Sequence, residues 1–484
     1  MAKNTTNRGV LSNLLWKFAE RISAQLVTLV VSIVLARLLE PSHYGGIAIV
    51  NIFILIANVF VSDGFGSALI QKKDADALDF SSVLYFNITF SILLYITLFF
   101  AAPYIAKFYG TGYEILSPVL RVLSLRLILS GINSVQQAYV AKKMIFRKFF
   151  WATLLGTITS AIVGIVMAYM GFGIWALVAQ YLINTTVDTV VLAFSLRVWP
   201  MFVFSFTRLR GMLKFGINVL GTSLVINGFQ EMRALIIGKL YSSADLAFYD
   251  KGKQFPNLIV TNINTSIGAV LFPHLSNIQD DKIRLKETTR NTIRISSYIM
   301  SPLMLGLATV AESFVSLILT DKWLPCVPLL RLFCIFYLFQ PIHTANTQAI
   351  KAIGKSDLCF KLEIFRDAIQ LVVLLIVMWI SVEAIVISMA IMSALFVAVN
   401  AWPNRKLINY SLKEQIMDIF PSLSMAVIMS IVVYLIGCLP MSTMVGLLIQ
   451  IIIGGSIYIL LSILFKNKEF IQIKMIICKR LIKR

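Results

Sequence analysis

Residues 229–256 read FQEMRALIIGKLYSSADLAFYDKGKQFP, and with their continuation to Pro273 they decide the fold. The stretch predicts two long apolar helices joined by the short turn Tyr241–Asp245. Glu231, Arg233, Asp250, Lys251 and Lys253 stand where hydrocarbon should rule. One charged side chain at a helix centre costs about 2.5–3.5 kcal/mol on insertion scales. Several in one hairpin would not persist against lipid, so they are expected to face a water-filled cavity inside a bundle. Charges at such depth mark functional sites by default, and the hairpin reads as half of a transport path.

The other half lies near the N-terminus. ARLLEPSHYG (36–45) echoes GKLYSSADLA (238–247), with Arg37 against Lys239 at an offset of 202 residues. PVLR (118–121) echoes PLLR (328–331) at an offset of 210. Two echoes in order, at nearly one spacing, argue for a duplicated unit.

Composition sets the class. Of 484 residues, 58% are hydrophobic and 14% charged, against roughly 25% charged in soluble proteins. The net charge of +20 is assigned to positive-inside bias and anionic headgroups. No basic stretch carries the interleaved aromatics of nucleic-acid recognition. The five cysteines are scattered, none in C-x-x-C, and read as packed or lipid-facing; the three histidines lie far apart, so no metal is expected. The apolar run behind Lys3 and Arg8 has no cleavage signature and reads as an uncleaved first helix.

With about 20 apolar residues needed per crossing, the spans are 12–39, 44–70, 81–109, 115–140, 150–170, 174–197, 212–240, 245–272, 289–319, 325–350, 357–380, 383–402, 415–437 and 443–465. Lys and Arg crowd the loops after even-numbered spans, which places both termini in the cytoplasm. Trp16, Trp199, Trp323 and Trp402 fall near span ends, as an aromatic belt requires. The expected fold is an all-α integral membrane protein of 14 transmembrane helices. It holds two parallel six-helix repeats forming an N-lobe (1–205) and a C-lobe (206–405), then helices 13–14 (406–465) and a basic tail (466–484). Residues 277–290 read as a short surface helix.

On LARLLEPSHYGGIAIV (35–50), SDGFGSALIQKKD (62–74), INSVQQAYVAKKMIFRKF (132–149), EMRALIIGKLYSSADLAFYDKGKQFP (231–256) and VLFPHLSNIQDD (270–281), the chain resembles the polysaccharide transporter branch of the multidrug/oligosaccharidyl-lipid/polysaccharide flippase superfamily. The resemblance implies a V-shaped pair of lobes, with helices 1, 2, 7 and 8 lining the cavity. It implies a cargo of oligosaccharide on undecaprenyl pyrophosphate, moved from the cytoplasmic to the outer leaflet for O-antigen, capsule or exopolysaccharide assembly. Glycan assembly machinery would be its partner. Drive would come from an ion gradient (H+ or Na+) or the membrane potential, with no cofactor. The sequence agrees in lacking a G-x-x-x-x-G-K-[ST] phosphate loop.

Such cargo needs cations for its pyrophosphate and polar or aromatic side chains for its sugars. Arg21 is the first candidate. It shares a helix face with Lys17, and Glu20 or Asp63 stands ready to hold it; an interface pair is the structural alternative. Arg233 and Glu231 point about 200° apart on a helix, which favours Arg233 toward the cavity and Glu231 as lateral partner. Lys253 with Asp250 one turn before it, Lys251 and Arg126 complete the binding candidates. Glu20, Asp63, Glu231 and Asp250 are the candidate coupling groups or charge partners. Arg121 and Arg331 read as snorkelling or helix-end groups, and Asp188 and Glu312 as isolated acids. A multidrug exporter of the same superfamily predicts an acid-rich cavity, which the surplus of cations disfavours. A polysaccharide polymerase or ligase predicts a large outer loop, and every outer loop here is short.

Overall fold

A computed structural model describes residues 7–196 and 201–482; the side chains of residues 7–15, 17–20, 63, 64, 213–215, 218, 269 and 476–482 lie outside that description. The described chain is helical and holds no strand. In order the helices are α1 (Asn7–Leu38), α2 (Pro41–Gln71), α3 (Ala77–Tyr109), α4 (Leu116–Leu123), α5 (Arg126–Lys143), α6 (Phe146–Tyr169), α7 (Ile174–Leu196), α8 (Phe206–Leu240) and α9 (Ser243–Asn277). There follow α10 (Lys282–Thr309), α11 (Ala311–Leu319), a 3-10 turn (Asp321–Cys326), α12 (Val327–Leu338), α13 (Gln340–Ala352), α14 (Ser356–Val377), α15 (Val382–Leu407), α16 (Leu412–Gly437), α17 (Thr443–Leu464) and α18 (Lys468–Ile482).

Each expected span falls on a helix or on a broken helix. Among the described residues eleven helices are long and apolar enough to cross a bilayer, or twelve if α10 and α11, bent by 71° between Thr309 and Ala311, are one span. The chain is a multi-pass membrane protein. Helices α8 and α14 fall outside that set; α8 carries Arg208, Arg210, Lys214, Glu231, Arg233 and Lys239, and α14 carries Asp357, Lys361, Glu363, Arg366 and Asp367. The expected surface helix at 277–290 is not separate: α10 starts at Lys282 and runs unbroken into the apolar stretch.

Local chemistry sets the helix starts. Asp76 accepts from the Asp79 amide while Asp79 returns a bond to the Asp76 amide, a capping box at α3. Ser411 and Glu414 do the same at α16, and Asp281 caps α10.

Contacts divide the chain into two units, Met1–Ala247 and Phe248–Arg484. In the first, α2 packs against α3, α4, α5, α7 and α8, and α1 lies on α6. Close approach needs residues without a Cβ. One added at Gly45 would sit 1.6 Å from the Ser243 carbonyl oxygen, and one at Gly238 3.0 Å from Ile49. So the start of α2 and the α8–α9 turn, the two stretches that echo each other in sequence, lie against one another. An apolar cluster of Phe65, Leu69, Phe80, Val83, Val135 and Leu209 packs the end that holds the α2–α3 loop. Arg121 donates to the Phe99 carbonyl (3.1 Å) and lies 4.5 Å from that ring.

In the second unit, α10 packs against α12, α13 and α16, and α15 against α12, α13 and α14. Leu271, Leu275, Leu285, Ile293, Ile342 and Tyr410 form one core, and Tyr298, Met425, Met429, Val433 and Tyr458 another. Arg331 donates to the Ala308 carbonyl at 3.2 Å, the same bond that Arg121 makes in the first unit. The helix-end reading of both arginines thus has matching geometry.

Candidate functional site

Gly252 fixes the start of α9. A Cβ there would lie 3.0 Å from Leu329 Cβ and from the Leu330 nitrogen, so α9 presses on α12 at this residue. Helical geometry then sends the flanking lysines to different sides. Lys251 is buried, 5% exposed, with Nζ donating to Gln254 Oε1 at 3.0 Å and lying 5.7 Å from the Trp323 ring. Lys253 stays half-buried. Trp323 meets Phe248 edge-on at 6.0 Å, and Tyr249 meets Phe333 at 5.2 Å. Trp323 is wholly buried, so it is no belt residue: its ring is the floor beneath Lys251. Among the described residues the exposed indoles are Trp151, Trp379 and Trp402, whereas Trp199 lies outside them.

In the first unit, Arg21 on α1 and Glu231 and Arg233 on α8 are half-buried. The side chains of Lys17, Glu20 and Asp63, expected to share a face with Arg21 or hold it, lie outside the described residues. Arg126 opens α5 just past the break at Ser124–Leu125. Its Nε donates to Thr185 Oγ1 at 2.9 Å, and its guanidinium lies 5.6 Å from the Tyr181 ring on α7. Asp250 is half-buried on α9, in the second unit.

Within the first unit Arg126 heads a polar seam that the sequence analysis missed. Asn133 donates to Asp188 (3.0 Å) and to Thr189 (3.3 Å), Gln137 donates to Asn133 (2.5 Å), and Thr153 donates to Asp188 (3.4 Å). Asp188 is therefore held by α5 and α6 and is not an isolated acid. Glu312 is not isolated either, lying 3.7 Å from Arg331 on the exposed surface. The signal for the seam was in the sequence: Asn133, Gln136 and Gln137 recur at helical spacing inside an apolar segment. In the second unit a similar cluster joins Asn346 to Gln415 (2.8 Å) and Asn404 to Asn346 (2.6 Å), all buried. Buried His343 contacts the Ser393 carbonyl (3.0 Å) and Asn400 (2.8 Å).

Two charge clusters organise the helix ends. In the first unit, Asp79 is fully buried and holds Lys72 at 2.6 Å with Arg208 at 3.9 Å; Arg208 also reaches Asp76 at 3.4 Å. Lys142 closes the same end by donating to the Leu69 and Lys72 carbonyls. In the second unit, Lys286, Arg290 and Arg294 recur every fourth residue along α10. They meet Glu414 (2.7 Å), Asp418 (2.7 Å) and Glu469 (2.5 Å) in turn. These cations are ladder rungs that tie α16 and α18 to α10. Among the described residues no group of His, Cys, Asp and Glu is arranged to hold a metal.

Comparison with known proteins gives the context. The family described as polysaccharide biosynthesis protein matches residues 34–328. A teichuronic acid biosynthesis protein of Bacillus subtilis is 23% identical over 353 residues, covering 72% of this chain and 73% of its own. A lipopolysaccharide biosynthesis protein of Escherichia coli is 24% identical over 341 residues, covering 69% and 68%. A succinoglycan biosynthesis transport protein of Rhizobium meliloti is 23% identical over 332 residues, covering 69% and 67%. Among solved structures, a lipid II flippase in an inward closed conformation aligns over 94% of this chain and 99% of its own, with TM-score 0.77 and 16% identity. An inward-facing multidrug resistance transporter of the MATE family, in the MOP superfamily, aligns over 81% and 96% with TM-score 0.61 and 17% identity.

Proposed function

The chain belongs to the polysaccharide biosynthesis protein family, and we propose that within it this protein is a flippase for lipid-linked oligosaccharide. The cargo is a sugar chain on undecaprenyl pyrophosphate, carried from the cytoplasmic to the outer leaflet of a bacterial cytoplasmic membrane. Both termini are cytoplasmic, and the product feeds the machinery that assembles a surface glycan. One conjunction carries the reading: a fold shared with a lipid II flippase over 94% of the chain, in relatives named for glycan biosynthesis and transport.

The chemistry follows from the cargo's head. Pyrophosphate is best held by cations through short charge-assisted bonds. Arg21, Arg233, Lys253 and Arg126 are the side chains assigned to it, because they stay half-buried on helices α1, α8, α9 and α5. Lys251 takes a different part: buried on Trp323, it positions the start of α9 instead of touching cargo. Glu20, Asp63, Glu231 and Asp250 are left to balance the cations or carry the coupling H+ or Na+. Transport by alternating access of the two lobes, with no ATP, completes the proposal.

The test is reconstitution in liposomes holding a defined undecaprenyl-pyrophosphate oligosaccharide, read by the accessibility of the sugar to an external glycosidase. The protected pool should become cleavable with the protein present. Arg21→Ala and Arg233→Ala should each slow this at least ~10-fold with insertion unchanged, the scale of one lost charged hydrogen bond. Full transport by both variants removes them from the mechanism. Movement of cationic drugs with no movement of the lipid-linked sugar would return the chain to the multidrug reading.

A further inference from the structure

One charged feature plays no part in that mechanism. Where α15 ends and α16 begins, an open groove of about 1020 Å³ runs between α14, α15 and the first turn of α16. That is the upper end of the range of small-molecule sites, about 300–1,000 Å³. Leu362, Phe365, Ala398 and Trp402 make its walls, and Arg405 and Lys413 stand at its rim. Trp402 and Phe365 are exposed, at 67% and 52%, with Lys406 6.0 Å from the Trp402 ring. Neither Arg405 nor Lys413 makes an ion pair among the described residues, whereas Glu414 next along is taken by Lys286 and by its own cap.

We infer that this groove is a binding site for an anionic phospholipid of the surrounding bilayer. An acyl chain lies along Phe365, Ala398 and Trp402, and the phosphate sits between Arg405 and Lys413. The argument is charge complementarity at a fixed depth. A groove walled by hydrocarbon and exposed to the membrane takes an acyl chain whatever its headgroup. Two rim cations without acids to neutralise them select a negative headgroup, and an exposed indole carrying a cation marks the headgroup level. The helix start adds nothing, because Glu414 already answers its N-terminal amides. Such a lipid would brace α14–α16, the segment whose inward side is the Asn346–Asn404–Gln415 cluster.

The experiment uses the full chain in nanodiscs with phosphatidylglycerol or phosphatidylcholine brominated on the acyl chain. The quenching lost in Trp402→Phe is the signal of this site. Each basic residue contributes surface attraction, so phosphatidylglycerol should reach half-maximal quenching at roughly ten- to thirty-fold lower mole fraction than phosphatidylcholine. Arg405→Gln with Lys413→Gln should erase that preference. The exchange Arg405→Lys with Lys413→Arg should keep it, which separates lost charge from lost folding. Equal quenching by both lipids overturns the inference, as does a preference that survives the double Gln variant. Displacement by undecaprenyl phosphate but not by unbrominated phosphatidylglycerol would give the groove to the cargo lipid and overturn it too. No transport is read, so the result stands apart from the cargo assignment.

Discussion

Arg290 shows what a side chain in this protein does when it meets its partner inside the fold. Its Nε and Nη2 reach the two oxygens of Asp418 at 2.7 Å each, a bidentate fork, and Tyr410 donates to the same carboxylate at 2.9 Å. Asp418 is 5% exposed and Arg290 40%. Arg290→Ala would strand a nearly buried carboxylate and should cost about 2–3 kcal/mol, somewhat below a fully buried pair. Removing Asp418 as well should recover part of the loss. Thermal unfolding of the two variants in detergent checks this, and a double variant weaker than the single would refute it. Asp76 responds to pH. The Asp79 amide donating to it, with Arg208 and Lys72 close by, holds its carboxyl below the ordinary range. A depressed folded value means the cap's contribution is complete above about pH 4, the unfolded carboxylate value, and is lost as pH falls through the lower folded one. Hydrogen exchange of residues 72–80 should therefore accelerate only below that pH, and Asp76→Asn should abolish the step. For Arg21 and Arg233, Lys should restore transport if charge suffices and fail if the phosphate needs a planar fork.

At the scale of elements, two glycines make opposite predictions. A methyl at Gly45 would meet the backbone oxygen of Ser243 at 1.6 Å, and backbone cannot rotate away as a side chain can. Gly45→Ala must push the α2 start from the α8–α9 turn and should destabilise by about 1–3 kcal/mol. Gly228, inside α8, has nothing within 4 Å of its would-be Cβ. Gly228→Ala should stabilise by up to about 1 kcal/mol through helix propensity alone. Melting temperatures that move the same way in both would sink the packing argument. The polar seam on α5–α7 belongs to this scale as well. Uncharged Asn, Gln and Thr satisfy one another inside the unit, and that keeps Asp188 tolerable away from water.

For the whole molecule the open question is threading, and one thiol answers it. Cys326, Cys334 and Cys359 are buried, whereas Cys438 is exposed just past the end of α16. The proposed cytoplasmic termini would put that end outside. A membrane-impermeant maleimide on intact cells should label a variant keeping only Cys438. A variant keeping only Cys478, in the basic tail, should label only after permeabilisation. The reverse pattern would invert the topology, and labelling of both from outside would break the even count of spans.

The sequence by itself determined the class, the helical segments and the family. Each rests on patterns a chain cannot hide: long apolar runs, charge counted by loop, and the motifs from 35 to 281. It also picked out Arg121 and Arg331, because an echo in sequence carried an equal bond to the carbonyl of an earlier helix. What only the tertiary structure decided is which charges are already spoken for. Lys251 and Lys253 are two residues apart and alike on paper, yet the pressure of Gly252 on α12 buries one against Trp323 and leaves the other half-exposed. Lys286, Arg290 and Arg294 are paired with no acid in the sequence analysis, until α16 and α18 bring one to each. The physical reason is common to both cases. A side chain's charge is written in the sequence, but its solvent and its counter-charge come from helices far away along the chain, and only packing brings those into reach.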